Sequence, residues 1–307
     1  MPPEKVREGG PSRLGPSSQE TGPGSSARSL RRTEKGVFLF LRTMRTAILF
    51  AAFGTTQPEP LEDFEDFLKR AQEVLRGVGV FSSFVSPTVQ RHHGMEGLLT
   101  TFGRIHDAGY TRVVVQPLSV VPGAVYTSVL NFCTTLTALR DIRGNPLFAA
   151  MLFGRALLGT SEDQKAVVTT LTPLVTPYLK DQGTAIVFVG HGSREGEAAY
   201  REFDGLLIRA FGPQSGVVVL EGNPSLAELL PRLKKSVQRV ILWPLMFFVG
   251  RHFKNDIAEG RGSLRERLEE EGFTVEVLPR GLLQEEAFVR MLWERVEELL
   301  TYAGTGH

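Results

Sequence analysis

From Thr46 onward the chain alternates between short apolar runs rich in Val, Ile, Leu and Phe and longer stretches whose apolar residues recur at helical spacing. Runs of this length, bounded by Gly, Pro and polar residues, predict strands. Their regular alternation with helices predicts successive β-α units that build parallel sheets. Eight strands are expected, over residues 46–53, 78–84, 111–119, 147–152, 184–190, 216–220, 239–248 and 273–278. Helices fill the intervals, with the clearest periodicity over 59–76, 195–211, 264–271 and 284–300.

The eight units divide into four and four. Residues 47–55, AILFAAFGT, resemble residues 185–193, AIVFVGHGS, and residues 112–118, RVVVQPL, resemble residues 239–245, RVILWPL. Repetition at such a separation predicts an α/β protein of two similar doubly wound domains, each a four-stranded parallel sheet flanked by helices. The expected boundaries are 44–180 for the N-terminal domain and 181–307 for the C-terminal one. Ligands of open parallel sheets bind outside the carboxyl ends of the strands, so the expected active site is a cleft between the two sheets.

Composition adds a different start to the chain. Sixteen of the first 35 residues are Gly, Pro or Ser with no apolar period, too little to offset the entropy of ordering them. Residues 1–43 are expected to be a disordered tail, dispensable or an upstream translation artefact, with Met44 opening the folded body. The tail holds 8 Lys/Arg and 4 Asp/Glu, so the overall balance of 35 to 34 conceals a slightly acidic body. That body offers no electrostatic footprint for nucleic acid. No run reaches the roughly 18 uncharged apolar residues of a membrane span, and residues 37–41 are too short and too late for a secretory core. The single cysteine, Cys133, sits in an apolar run and is expected to be a buried, inert thiol, as suits a reducing compartment and a cytoplasmic address.

The strand ends carry the chemistry. The fifth strand ends at His191 between Gly190 and Gly192, the sixth at Glu221, and the seventh leads into Gly250, Arg251 and His252. Two imidazoles and a carboxylate at one sheet edge suit a divalent transition metal with open positions for a substrate. Each has a plainer alternative: a strand-end histidine can simply bond its loop, and Glu221 can sit favourably near a helix N-terminus. Arg194, Arg251 and Lys254 are either solvated loop charges or clamps for anionic substrate groups. His92 and His93 are expected to be solvated, and His106 and His307 have no sequence neighbours to work with. No Walker loop, dinucleotide fingerprint or Gly-x-Ser-x-Gly elbow occurs.

Taken together, the strand end Phe53-Gly54-Thr55, the segment from Gln116 to Tyr126, the turn Gly190-His191-Gly192, Glu221, and the run from Pro244 to His252 followed by Asn255 and Asp256 resemble one family. It is the sirohydrochlorin cobalt chelatases of the anaerobic, CbiK-like type, within the class II tetrapyrrole chelatases. The resemblance runs from about residue 46 to about residue 300. It implies metal and tetrapyrrole bound between two similar domains, with His191 and Glu221 catalytic and His191, Glu221 and His252 holding the metal. Ser119 stands where relatives often carry a histidine, and would contact substrate together with Arg194, Arg251 and Lys254.

The implied reaction inserts Co²⁺, as substrate, into sirohydrochlorin with release of two protons, for cobalamin synthesis. Imidazole, with an ordinary pKa of about 6.5, can hold a metal or take a proton near neutral pH. Fe²⁺, giving sirohaem, and Ni²⁺ are the alternative metals, since this donor set discriminates weakly. No organic cofactor, nucleic acid or membrane is implied, and a homo-oligomer is left open. A non-catalytic tetrapyrrole or metal carrier, or an unrelated α/β binding protein with structural histidines, would keep the same residues without turnover.

Overall fold

The computed structural model describes residues 45–304 apart from 182, 251 and 252. The expected tail, Arg251, His252 and His307 therefore lie outside the described residues. Two four-stranded, all-parallel sheets form the frame. The first contains β1 (Thr46–Ala52), β2 (Gly79–Phe84), β3 (Arg112–Pro117) and β4 (Ala150–Phe153) in the order β2-β1-β3-β4. The second contains β5 (Thr184–Gly190), β6 (Gly216–Val219), β7 (Arg239–Pro244) and β8 (Thr274–Val277) in the order β6-β5-β7-β8. Both orders reverse direction beside their first strand, which opens a crevice at the carboxyl ends of β1 and β3 and of β5 and β7.

The helices follow the expected alternation. In the first half they are α1 (Pro58–Val74), α2 (Pro87–His93), α3 (Leu98–Asp107), α4 (Ala124–Ala138) and α5 (Ser161–Val175). In the second they are α6 (Glu197–Phe211), α7 (Leu226–Leu233), α8 (Leu264–Glu270) and α9 (Glu286–Gly304). Helix α1 begins with Pro58 and Glu59, residues that suit a first turn whose amides lack partners, and it buries Phe64, Phe67 and Ala71. Strands β1 and β5 are buried along nearly their whole length, which is why they read as unbroken apolar runs rather than as alternating ones.

One large core cluster takes residues from both halves, among them Phe50, Phe64, Phe67, Phe188, Phe203 and Trp243. Each fully buried side chain of this size contributes about 1.5–3 kcal/mol. Helix α9, at the end of the second half, packs its Trp293 ring 6.4 Å from that of Phe67, and the Phe248 ring lies 5.4 Å from that of Phe64.

Two expectations are corrected. Strand β7 ends at Pro244 rather than 248, and residues beyond it fold over the shared core, with Leu245 and Phe247 buried. Their apolar character serves the core and not the sheet ladder. His92 and His93 close α2, which Ser86 caps at the start and Gly94 at the end in a left-handed conformation. His92 is exposed, but His93 is partly buried, with its Nε2 shielded from solvent and without a described partner.

Candidate functional site

The internal repeat extends to single hydrogen bonds. After β1, the Val85 amide donates to the Ala52 carbonyl at 2.8 Å and the Ser86 amide to the Phe53 carbonyl at 3.3 Å. After β5, the Leu220 amide donates to Gly190 and the Glu221 amide to His191, both at 3.0 Å. Leu118 donates to Ala51 as Leu245 donates to Val189, each at 2.8 Å. Phe53 and His191 are thus equivalent positions, as are Ser86 and Glu221. Counting on from Leu118 and Leu245 pairs Ser119 with Met246, Gly123 with Gly250 and Val125 with His252.

These strand ends converge on a cavity of about 710 Å³, within the size range of small-molecule sites. Phe53, Val121, Val125, Met246, Phe247 and Phe248 give it an apolar lining drawn from both sheets. The polar groups on its wall include Thr55, Ser119, Tyr126, His191, Ser193, Glu195 and Tyr200, and no Lys or Arg lines it among the described residues.

The turn that carries His191 is tightly fitted. Gly192 has φ +97°, and a Cβ there would run into the Glu221 carbonyl oxygen. A Cβ on Gly190 would lie 2.7–2.8 Å from the ring and hydroxyl of Tyr200. Only glycine permits both approaches. The exposed His191 ring has its Nδ1 3.4 Å from the Gly192 carbonyl oxygen. Tyr200 is buried beneath the turn, and burial pushes its phenol up to about 12, opposed by a hydrogen bond from the Gly192 amide.

Of the residues singled out from sequence, His191 and Ser119 line the cavity. Glu221 is exposed on the neighbouring turn, tied to His191 through the backbone but absent from the lining, although its first-half counterpart Ser86 is part of it. Arg194 and Lys254 are exposed and also stand off the lining. Among the described residues no group of three or more His, Cys, Asp or Glu side chains could hold a metal, and the loop position of His252 lies outside them. Cys133 is buried, its thiol pushed up to about 12 by burial.

Three groups on the wall were not singled out from sequence. Glu195 is held below the ordinary carboxylate range by its own backbone amide and by the Ser193 hydroxyl, which donates to it at 2.8 Å. Tyr126 has its phenol raised by burial and its hydroxyl 3.5 Å from the Gly154 carbonyl oxygen. Tyr200 falls on the apolar stripe of α6 and reads as core. A search of the five residues after each strand would have found Glu195.

Residues 46–301 match the cobalt chelatase (CbiK) family. The chain belongs to that family. It is 30% identical over 252 residues to sirohydrochlorin cobaltochelatase CbiKC of Nitratidesulfovibrio vulgaris, covering 80% of this chain and 87% of that one. Similar solved structures include SirB from Bacillus subtilis with Fe³⁺, with a TM-score of 0.56, 16% identity and coverage of 85% of this chain and 98% of that one. Sirohydrochlorin chelatase SirB from Bacillus subtilis subspecies spizizenii in complex with cobalt gives 0.54, 17%, and the same coverage of 85% and 98%. The two likenesses show a shared fold.

In this member of the cobalt chelatase family each apolar wall of the cavity is pinned from the loop after the outer strand. The Leu157 amide donates to the Ser119 carbonyl at 2.9 Å, and the Leu282 amide to the Met246 carbonyl at 2.8 Å, again at equivalent positions. The fastenings behind them differ. In the first half, Arg295 of α9 donates to the carbonyls of Ala156 and Leu157, both at 3.2 Å, and pairs with Asp163, which Arg155 also grips through two hydrogen bonds. In the second, Arg280 faces Glu285 at 3.0 Å without the alignment of a hydrogen bond.

Proposed function

We propose that this chain is a sirohydrochlorin cobaltochelatase. The observation that carries the reading is His191, set on a glycine turn in the wall of a large apolar cavity where both sheets end, in a chain of the cobalt chelatase family. A tetrapyrrole has a flat, apolar macrocycle with carboxylates at its edge. The macrocycle matches the apolar lining, and its carboxylates are assigned to Arg194 and Lys254, both exposed, and to Arg251, which precedes His252 in sequence. Such local cations act despite a mildly acidic body, because charge is screened over about 8 Å at physiological salt.

In this reading His191 and His252 present Co²⁺ to one face of the macrocycle, with Glu221 on the adjoining turn. Two pyrrole N–H bonds break, the four ring nitrogens take over the metal from the imidazoles, and two protons leave through His191 to water. The carboxylate of Glu221 favours the transient imidazolium electrostatically. The enzyme works in the cytoplasm, where a lone reduced thiol such as Cys133 persists.

Fe²⁺ is the second reading, because imidazole and carboxylate do not separate cobalt strongly from iron and the SirB fold is seen with both metals. Purified protein mixed anaerobically with sirohydrochlorin and Co²⁺, Fe²⁺ or Ni²⁺ tests this by absorbance against the uncatalysed rate. The expected result is acceleration that is greatest with Co²⁺. A greater acceleration with Fe²⁺ makes the chain a ferrochelatase, tight binding of sirohydrochlorin without acceleration makes it a carrier, and neither binding nor acceleration overturns the tetrapyrrole reading.

A further inference from the structure

Phe53 occupies in the first sheet the position that His191 occupies in the second, as their matching backbone hydrogen bonds require. It is 56% exposed while Ala52 before it is fully buried, so it is a large apolar side chain left uncovered at the wall of an apolar cavity. Its backbone is not free to turn it inward. Gly54 follows with φ +96°, packed so closely on Phe84 and Val89 that a Cβ would lie 2.8 Å from each. The other two first-half counterparts of the proposed metal positions, Ser86 and Val125, also line the cavity and offer no imidazole or carboxylate.

We infer that Phe53 is a substrate-contacting residue that covers one face of the flat conjugated macrocycle, so that metal reaches the macrocycle from the His191 side. The inference rests on the tetrapyrrole reading above. It assigns the repeated turn two opposed tasks: an apolar aromatic surface in the first half and a metal-handling imidazole in the second. An aromatic side chain suits the first task because its face stacks on a π system and its burial by ligand recovers the cost of exposure.

The full chain is compared with F53A, F53L and F53W by quenching of sirohydrochlorin fluorescence, by turnover with Co²⁺, and by the visible spectrum of added Co²⁺ alone. Circular dichroism checks that each variant is folded. Phe53→Ala should weaken sirohydrochlorin binding about tenfold and raise its KM to match, Phe53→Leu should fall between, and Phe53→Trp should bind as the wild type does. The Co²⁺ spectrum should not change in any of them. Wild-type binding by F53A, or a Co²⁺ spectrum altered by it, overturns the inference while wild-type turnover leaves the chelatase reading intact. Phe53-dependent binding in a wild type that does not turn over sustains the inference and removes the chelatase reading. A wild type that binds no sirohydrochlorin overturns both.

Discussion

The two halves of this chain share a strand order and a set of strand-end hydrogen bonds, yet differ in the side chains those bonds carry. At three matched positions the first half has Phe53, Ser86 and Val125, and the second has His191, Glu221 and His252. The matched turns at Phe53 and His191 both face one cavity, and side-chain identity alone decides that one presents an apolar ring and the other an imidazole. A site built this way has sides. A flat substrate can be held by one half while the other does the chemistry, and substitutions at matched positions should have unlike effects.

The largest expected difference is between His191 and its counterpart. Replacing His191 with Ala should lower kcat/KM for Co²⁺ insertion by about 10²–10⁴, the usual worth of a positioned proton acceptor, with little change in sirohydrochlorin binding. Phe53→Ala should do the reverse. Steady-state rates and fluorescence titrations on the two variants check the contrast, and an H191A enzyme with wild-type turnover would remove His191 from the chemistry.

Much of this contrast was legible in the sequence, for physical reasons. β1 and β5 are buried on both faces and so announce themselves as unbroken apolar runs, and the flanking glycines of His191 mark a turn that brings backbone close to backbone. Other features depend on contacts between distant residues. Nothing local says that α9 returns to the first half, where Trp293 meets Phe67, or that Tyr200 on the apolar stripe of α6 ends beneath the His191 turn. The run after Pro244 looks like more strand because an apolar loop over a core has the same composition as a buried strand. Glu221 reads as a cavity residue, but it stands outside the lining that its counterpart Ser86 joins, a difference that the matching backbone bonds do not foretell.

The fastenings behind the two walls should differ next. Asp163 is 4% exposed and lies between Arg155 and Arg295, the latter 9% exposed. Asp163→Asn removes the carboxylate paired with buried Arg295, leaving Glu298 to act on it without an ion-pair contact, and should cost about 3 kcal/mol of stability at pH 7. Glu285→Gln leaves only Arg280, about half exposed and able to reach water, and should cost about 1 kcal/mol or less. Burial pushes the Asp163 carboxyl up, but the Arg155 hydrogen bonds and the Arg295 charge outweigh it and hold the group below the ordinary carboxylate range. Its stabilising contribution is therefore complete above the unfolded value of about 3.9 and is lost as pH falls from there through the lowered folded value. Denaturant midpoints at pH 7 and at progressively lower pH should show the gap between wild type and D163N narrowing below about pH 4. Equal losses in D163N and E285Q at pH 7 would mean that the two walls are held alike.

The smallest expected difference separates the glycines of the two turns. Gly54 and Gly192 have nearly the same φ, +96° and +97°, so alanine at either carries backbone strain of about 1–3 kcal/mol. At position 54 the added methyl meets the side chains of Phe84 and Val89, which can shift within their packing. At position 192 it meets the carbonyl of Glu221, whose own amide is bonded to the His191 carbonyl, so the turn and its neighbour must separate together. Gly192→Ala should be the less stable of the two by about 1 kcal/mol, the size of a typical point-mutation effect, and should lose Co²⁺ turnover through displacement of His191. Gly54→Ala should retain Co²⁺ binding. Chemical denaturation read beside the Co²⁺ spectrum tests both statements, and a G192A variant as stable as G54A would show that the Glu221 carbonyl yields as easily as a side chain.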